Sequence, residues 1–577
     1  MFLLTNRIGS YTLLANKPVS RYSGIFFRED KKVYKVIEDI KIDDRFDMVT
    51  SDSLSIERKY KHAKQKFFMP IGFNAIIYES NKGQFSEIIL DCKESYDNRS
   101  FGRSYEIEIE DNKIIISFTK RTDSREDSTH DEVEYELFVV IKCEDTIYEA
   151  VEKWIEQSYD LDASRGSFPN NRFAFSALKI KTKKCVIAFS KDKKKAMHDA
   201  DFVHKNMIHL KNIDKKYHSA LLKPTNKKKG MAGRALRNSI ISFDQLLVKR
   251  EGLYAGLPWF FQFWARDQAI CLKALSLIRK RASAKKILFQ LLNTMQKDGN
   301  IPNRIPPTNL GCADAVGWVF VRAKDLMKKQ PFISQERKFV TAKLGNAITR
   351  LLKYHTEEGF ATNADQETWM DTKFRDDTRS GKRIEIQALR LFMYNFMYEL
   401  SGKQYYKDLE LRLKHKVQKE FWNEKTLADG LNDWTIRPNI FIAYYVYPKL
   451  LSKAQWIECF DNCLKHLWLD WGGLSTIEKH HPYYHDTYSG EVPDSYHRGD
   501  SWFWINNLAA ICMHRLDKTH FKQKISQILE ASTDEILNNG IIGSHAELSS
   551  AKDLKSEGCP AQAWSIALFI ELMKEIK

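Results

Sequence analysis

The chain has 577 residues and a mass of 67.5 kDa, which exceeds the size at which one hydrophobic core normally stops growing, so we expect more than one domain. With 43% hydrophobic and 12% aromatic residues, its composition is that of a globular protein. The formal charge of +16 raises nucleic acid as a partner, but the lysines lie in short scattered runs without a binding motif. We therefore expect no nucleic-acid partner.

The N-terminus and the apolar runs of the chain give no sign of export or membrane insertion. Residues 1–7 lack a basic start followed by a long apolar run, and no stretch of eighteen apolar residues occurs anywhere. The nine cysteines are widely spread, and the closest pair, Cys459 and Cys463, has no second pair or histidine to complete a zinc site. These features predict a cytoplasmic protein without a membrane partner, with reduced and mostly buried thiols.

The first 190 residues have the patterning of strands. Short apolar or alternating runs occur at 114–118, 135–140 and 185–189, and turn-forming residues separate them. This pattern predicts an N-terminal antiparallel β-sandwich domain over residues 1–190. The Lys-rich segment 191–229 is polar with helical periodicity, and we interpret it as a helical linker.

From Gly230 onward the periodicity is helical. The pattern predicts twelve helices, at 231–249, 267–280, 283–297, 313–328, 334–354, 384–400, 404–420, 438–448, 452–467, 497–513, 518–537 and 560–576. Connections after the even-numbered helices have about six residues or fewer, whereas most of those after the odd-numbered helices are much longer. Alternate connections of an up-down array lie at opposite ends. The sequence therefore predicts an (α/α)6 barrel over residues 230–577, with the long loops building one pocket.

The first long loop is dense in aromatic residues and ends in two adjacent charged residues. Trp259 and Trp264 precede Arg266 and Asp267. An arginine beside an aspartate is suited to holding vicinal sugar hydroxyls through charged hydrogen bonds, and flat rings stack on the apolar faces of sugars. The alternative is that Asp267 only caps the following helix while the rings fill the core.

Carboxylates recur in the later loops, and cleavage of a glycosidic bond requires two of them, one as acid and the other as base or nucleophile. The residues alone leave several candidates open. They are Asp365, Glu367, Asp371, Asp376 and Asp377 in the third loop, and Glu547, Asp553 and Glu557 in the sixth.

Other chemistries have little support in the sequence. Neither a glycine-rich phosphate loop nor a dinucleotide-binding fingerprint occurs. The histidines His480, His481 and His485 are a weak metal candidate, because their spacing matches no common zinc pattern. We expect no cofactor and no metal.

The loop motifs resemble the amylo-α-1,6-glucosidase domain of glycogen debranching enzymes. Tyr496-His497-Arg498-Gly499 resembles a Tyr-His-Gln-Gly segment of that family, with Arg498 in the place of Gln. Residues 3–11 and 21–24 resemble the β-sandwich domain of prokaryotic members. The other matching segments, in the same order as in the family, are 258–267, 301–304, 367–371, 437–439 and 562–565.

This resemblance implies an inverting glycoside hydrolase that releases glucose from α-1,6 branch points of a glycogen-like limit dextrin. It implies Asp371 as the general acid and Glu547 as the general base. Burial beside Trp369 is expected to raise the pKa of the acid. The substrate-binding residues that it implies, or that the loops suggest, are Trp259, Trp264, Arg266, Asp267, Asn303, Arg304, Trp369, Arg437, Tyr496, His497, Gln562 and Trp564.

Two alternatives stay open at this point. A glucoamylase, a trehalase or another exo-α-glucosidase has the same fold with a different linkage preference, which is set by the shape of the loops. A glucan-binding protein without catalytic activity is the alternative from another class. The expected partner in each debranching or binding case is a branched α-glucan, and no residues remain for the glucanotransferase barrel of eukaryotic debranching enzymes.

Overall fold

The computed structural model describes residues 1–81, 84–123, 132–144, 147–225, 229–329 and 331–576. Residues 226–228, which belong to the predicted linker, lie outside the described residues. The chain divides into two compact units. The first comprises Met1–Lys223 with Asp244–Lys249, and the second comprises Pro224–Phe243 with Arg250–Lys577.

The first unit is built from two antiparallel sheets. The strands are β1 Phe2–Thr5, β2 Tyr11–Leu14, β3 Gly24–Glu29, β4 Lys32–Ile42, β5 Phe46–Ser51, β6 Ser55–Tyr60, β7 Lys64–Phe68, β8 Ala75–Ser80, β9 Phe85–Glu94, β10 Arg103–Glu110, β11 Lys113–Arg121, β12 Val133–Cys143, β13 Ile147–Ser158, β14 Asn171–Lys181 and β15 Lys184–Ser190. In the described residues one sheet has the strand order β1-β2-β3-β4-β9-β14-β13, and the other has the order β10-β11-β12-β15-β8-β7-β6-β5.

The facing sides of the two sheets form the main core of this unit. Ile37, Leu90 and Leu178 from the first sheet pack in one buried cluster with Ile116 and Val139 from the second. The three predicted strand segments are confirmed, because they lie within β11, β12 and β15. The predicted antiparallel β-sandwich is likewise the observed architecture.

Two helices complete the first unit, the short α1 Asp160–Ser164 and the long α2 Lys193–Leu222. Asp192 caps α2 by accepting a hydrogen bond from the backbone N–H of Lys195. Ala196, Ala200, Val203 and Met207 recur at helical spacing and pack on the outer face of the second sheet. The helix predicted within the linker is therefore present and packs on the sandwich.

The second unit contains twelve helices in its described residues. They are α3 Gly230–Gln245, α4 Ala265–Leu277, α5 Arg281–Asn293, α6 Ala315–Lys329, α7 Ser334–Tyr354, α8 Ile384–Ser401, α9 Gln404–Phe421, α10 Asn439–Val446, α11 Lys453–Leu467, α12 Phe503–Asp517, α13 Lys522–Asn538 and α14 Ala563–Glu575.

Alternate helices form an inner ring. Helices α4, α6, α8, α10, α12 and α14 each contact the next, and α14 contacts α4, so the ring closes. These helices are buried over most of their surface; every residue of α10 is buried, for example. Among the helices that pack outside the ring, α5, α7 and α13 each contact the inner helix before them. The predicted (α/α)6 barrel is confirmed.

The connections alternate in length as predicted. The short ones, from inner to outer helices, are 278–280, 330–333, 402–403, 447–452 and 518–521, and the long ones are 246–264, 294–314, 355–383, 422–438, 468–502 and 539–562. One helix start differs from the prediction in a way that matters for the site. α12 begins at Phe503, not at 497, so residues 497–502 belong to the preceding loop.

Candidate active site

One cavity of about 130 Å³ lies where four of the long connections meet the first turns of α4 and α14. Nine of the fourteen predicted site residues line it: Trp264, Arg266, Asp267, Trp369, Asp371, Tyr496, Glu547, Gln562 and Trp564. Three further residues complete the wall, namely Ala255, Phe260 and Trp502.

Two-residue strand pairs join the loops around this cavity. Gly256–Leu257 pairs with Ala561–Gln562, and Phe263–Trp264 pairs with Arg304–Ile305. Ser501–Trp502 pairs with Leu548–Ser549. Because each pair links two different connections, residues far apart in the sequence are held against each other at the pocket.

Arg266 organises one side of the cavity. Its Nε lies 2.8 Å from both carboxylate oxygens of Asp314, and its Nη2 donates to the carbonyl oxygen of Thr368 at 2.8 Å. Its Nη1 donates to Oδ2 of Asp371 at 3.2 Å. Burial disfavours the charged guanidinium, but the nearby carboxylates outweigh it and raise the pKa of Arg266. Arg266 is therefore a fixed cation beside Asp371.

Asp371 lies between Arg266 and His497. Nε2 of His497 is 3.5 Å from Oδ1 of Asp371, and 34% of the Asp371 side chain stays exposed. Burial raises the pKa of Asp371, but the contacts with His497 and Arg266 are larger together and bring the pKa below its usual value. The expected rise in the pKa of this carboxyl is therefore wrong for the protein alone, because the expectation did not include the two neighbouring nitrogen groups.

Asp267 has the opposite electrostatic environment. It lies in the first turn of α4 without capping the helix, whose N-cap residue is Trp264, and Nε2 of Gln562 approaches its Oδ1 at 3.4 Å. Burial raises its pKa to about 7, an increase that Arg266 opposes and that Glu547 and Asp371 reinforce. The capping alternative is therefore not what the structure shows, and Asp267 lies on the cavity wall.

Glu547 lies on the wall formed by the last long connection. Its Oε1 accepts a hydrogen bond from the hydroxyl of Tyr496 at 2.7 Å, and its Oε2 accepts one from the backbone N–H of Cys559 at 2.9 Å. Gly558 has a φ of +62°, and a Cβ there would lie 2.5 Å from Oε2, so the close turn around this carboxylate requires glycine.

Four of the lining residues are tryptophans, and the buried Trp504 packs against two of them. The rings of Trp504 and Trp564 stack with centroids 4.9 Å apart, and Trp369 meets Trp504 edge to face at 5.0 Å. Trp502 stacks on the ring of His497 at 4.9 Å. Burial lowers the pKa of His497 to about 4, so this ring is neutral at physiological pH.

Buried ion pairs support the segment that carries Asp371. Arg379 donates to the hydroxyl of Thr368 at 2.9 Å and forms ion pairs with Asp429 and Glu385. Asn439, at the start of α10, accepts a hydrogen bond from Nε1 of Trp369 at 2.7 Å. The position of residues 368–371 is therefore fixed from behind by polar groups that do not face the cavity.

The remaining predicted residues lie outside the cavity wall. Arg437 donates to the carbonyl oxygen of His497 at 2.9 Å, so both of these residues act behind Asp371. The carbonyl oxygen of Asn303 accepts from the N–H of Ala265, and Arg304 pairs with Trp264 in the short strand pair. Trp259 is not among the described residues that line the cavity.

Of the eight carboxylates left open by the sequence, Asp371 and Glu547 are the ones on the cavity wall. The other carboxylates have different surroundings; Asp377, for example, is held by two arginines. Among the residues that were not predicted, Trp502 was expected within a helix. Phe260 lies in the same aromatic-rich loop as Trp264, and that density was the available signal.

The described residues contain no group of three or more His, Cys, Asp or Glu side chains arranged to hold a metal ion. They also contain no helix with the length and apolar character needed to span a bilayer. All nine cysteines are free thiols, and all except Cys143 are buried.

Two solved structures illustrate what this chain is similar to. A bacterial glucoamylase complexed with acarbose is similar with a TM-score of 0.64 at 12% identity, over 99% of this chain and 93% of that chain. A GH63 mannosylglycerate hydrolase from Thermus thermophilus, complexed with Tris, is similar with a TM-score of 0.46 at 12% identity, over 58% of this chain and 99% of that chain. A search of curated proteins gives no match.

Comparison with family models gives the assignment. Residues 240–571 match the model described as amylo-alpha-1,6-glucosidase, which covers more than half of the 577 residues and contains every residue of the cavity wall. The chain therefore belongs to the amylo-alpha-1,6-glucosidase family and is a glycoside hydrolase of the (α/α)6 superfamily.

Proposed function

We propose that the protein is an inverting exo-acting glucosidase that releases glucose from α-1,6 branch points of glycogen-like limit dextrins. The observation that carries the proposal is that Asp371 and Glu547 share one small cavity with Arg266 and Asp267. At about 130 Å³ it is well below the roughly 300–1,000 Å³ of pockets for drug-sized ligands, which favours a single terminal sugar ring as the bound group.

In this mechanism Asp371 protonates the glycosidic oxygen and Glu547 activates the attacking water. The hydrogen bonds from Tyr496 and Cys559 orient the Glu547 carboxylate. The pKa of Asp371 is lowered in the protein alone, where part of this side chain is exposed to water. A sugar bound in the cavity replaces that water, and the loss of solvation favours the protonated acid.

The remaining wall residues position the terminal glucose. Asp267 and Gln562 offer an acceptor and a donor side by side, and Trp564 and Trp264 supply ring surface on which the apolar face of a sugar packs. Position contributes much of the rate of such a reaction, because the reacting groups are held at attack distance.

The experiment measures free glucose released from a phosphorylase limit dextrin and from a singly glucosyl-branched cyclodextrin. The native protein is compared with Asp371→Asn and Glu547→Gln. We expect glucose from both substrates and a fall of kcat by about 10²–10⁴ in each variant, because each substitution removes one proton-transfer group. β-Glucose is the expected first product by NMR.

The competing functions predict different results in the same assay. Release of glucose from maltose, maltotriose or trehalose but not from the branched substrates would replace the debranching assignment by another exo-glucosidase. Binding of glycogen without release of glucose from any of them would indicate a catalytically silent glucan-binding protein. α-Glucose as the first product would contradict inversion.

A further inference from the structure

The small volume of the cavity leaves most of a glucan substrate outside it. With one sugar ring enclosed, the oxygen that Asp371 protonates joins this ring to the leaving glucan. The leaving sugar must therefore lie close to Asp371. The segment that directly follows Asp371 in the chain lies next to this acid and outside the residues that line the cavity.

That segment is a tight hairpin, Phe374–Asp377, which we call the acceptor hairpin. Phe374 and Asp377 exchange backbone hydrogen bonds at 3.3 and 3.0 Å and leave Arg375 and Asp376 at the tip. Both tip residues are exposed. Arg375 has a φ of +54°, a left-handed conformation that a side chain of its type rarely adopts and that the surrounding contacts must maintain.

Arg498 ties the base of the acceptor hairpin to the wall of the cavity. Its Nε donates to Oδ2 of Asp377 at 2.8 Å, and its Nη2 donates to the carbonyl oxygen of Thr372 at 2.9 Å. Its guanidinium also lies 5.3 Å from the ring centroid of Phe374. Since Arg498 directly follows His497, which contacts Asp371, the hairpin and the acid are held by the same segment.

Tyr483, from the connection before α12, supports the tip from the other side. Its hydroxyl donates a hydrogen bond to the Asp376 carboxylate, and its ring meets Phe374 edge to face at 5.5 Å. The Arg375 guanidinium lies over the ring of Tyr483, 5.5 Å from its centroid. The tip thus presents a guanidinium and a carboxylate at fixed positions, a pair suited to neighbouring sugar hydroxyls.

We propose that Arg375 and Asp376, supported by Tyr483, form the binding site for the sugar of the leaving glucan next to the cleaved bond. The proposal rests on the function proposed above and adds where the polymer side of the substrate binds. Charged hydrogen bonds to its hydroxyls hold the leaving sugar while the terminal glucose occupies the cavity.

The test compares substrates that differ only in the leaving group. α-Glucosyl fluoride places nothing at the acceptor hairpin, whereas isomaltose and glucosyl-branched cyclodextrin place one sugar and a long glucan there. For Arg375→Ala we expect KM for the branched cyclodextrin to rise about tenfold, in line with the loss of a charged hydrogen bond. We expect kcat/KM for α-glucosyl fluoride to stay within about twofold of the native value.

A second variant and a control keep a folding defect apart from the predicted effect. Tyr483→Phe keeps the ring and removes the hydroxyl that fixes Asp376, and we expect about a threefold rise in KM for the branched cyclodextrin. Arg412→Ala, at an exposed arginine on the outer helix α9, is the matched control. It should change neither KM for the branched cyclodextrin nor kcat/KM for α-glucosyl fluoride.

Equal losses on the fluoride and on the cyclodextrin, or no change on either, would overturn the assignment of the acceptor hairpin. Failure of the debranching proposal gives a different result. The native protein would then hydrolyse maltose and maltopentaose but not isomaltose. In that case the acceptor hairpin would be tested by comparing the effect of Arg375→Ala on maltopentaose with its effect on α-glucosyl fluoride.

Discussion

Buried charges at the two ends of the barrel have different partners. Toward the C-terminal ends of the inner helices, Arg322 and Lys273 share the Glu571 carboxylate at 3.1 and 2.9 Å, and Tyr445 donates to its second oxygen and accepts from Arg322. Burial raises the pKa of Glu571, but the two cations outweigh it and lower the pKa. Each ionic side chain in this cluster therefore has an opposite charge beside it.

At the pocket end, three carboxylates line one cavity with Arg266 as the cation on its wall. Their surroundings push the pKa of Asp267 up to about 7 and that of Asp371 down. The separation along an inner helix is modest, since Asp267 and Lys273 both lie on α4, six residues or about 9 Å apart. The contrast teaches that the same helices place balanced charge where they hold the barrel together and unbalanced charge where they line the cavity.

The largest effect is expected from breaking the balanced cluster. Glu571→Gln removes the buried anion that Arg322 and Lys273 share and leaves them only the partly exposed Asp325 and Glu575. We therefore expect a loss of about 3 kcal/mol in the free energy of unfolding. The measurement is chemical denaturation of the full chain at neutral pH. Activity of the molecules that remain folded should be unchanged, because the cluster does not touch the cavity.

The matched control for that variant is Glu399→Gln, which breaks a surface pair with Lys324 in which 40% of the Glu399 side chain is exposed. An exposed pair contributes about 0–1 kcal/mol, so the free energy of unfolding of the control should be close to that of the native chain. Equal losses of unfolding free energy in Glu571→Gln and Glu399→Gln would show that burial of the Glu571 cluster has no special role.

An intermediate effect on stability is expected for Asp267 at the pocket end. Here the substitution should stabilise the protein at high pH, whereas Glu571→Gln destabilises it. Because the folded pKa of Asp267 is raised to about 7, its stabilising contribution is complete below the unfolded value near 3.8 and is lost as the pH rises through 7. Asp267→Asn should therefore gain stability relative to the native chain between pH 5 and pH 8, by on the order of 2 kcal/mol.

Thermal unfolding at the two pH values measures this gain. Asp371→Asn is the control, since the pKa of Asp371 is lowered and its contribution is lost only as the pH falls below about 4. The difference in stability between Asp371→Asn and the native chain should be the same at pH 5 and pH 8. A pH-independent difference for Asp267→Asn would contradict the electrostatic contrast between the two carboxyls.

The smallest effect is expected at Arg498, which shares the Asp377 carboxylate with Arg437. In Arg498→Gln the remaining Arg437–Asp377 pair is still balanced, so we expect a loss of only about 1–2 kcal/mol in the free energy of unfolding. The loosened hairpin should lower kcat/KM on branched dextrin more than on α-glucosyl fluoride. Equal losses on both substrates would instead indicate that Arg498 supports the cavity itself.

The sequence predicted the barrel well because its physical cause is local. Helical periodicity and the alternation of short and long connections are visible in the chain, and α10, with its run of Ile440 to Val446, is apolar on every face. The start of α12 was misplaced because it has no capping side chain. Trp502 is the N-cap residue and makes no side-chain cap hydrogen bond.

The site was predicted less completely because its decisive contacts are distant in sequence. Asp371 and Glu547 were named through a resemblance, and nothing local reveals that Arg266 and His497 lower the pKa of Asp371. The ion pair between Arg498 and Asp377 spans 121 positions. Such contacts depend on how six loops meet, which neither periodicity nor composition specifies.

The inner helices have a further consequence for the chemistry of the pocket. Because each inner helix begins at the same end of the barrel, the backbone N–H groups of their first turns and the positive ends of their dipoles converge there. The resulting field favours anions near the helix starts and opposes the cationic character that develops on a sugar during glycosidic cleavage. The carboxylates therefore also compensate a positive potential that the fold itself creates.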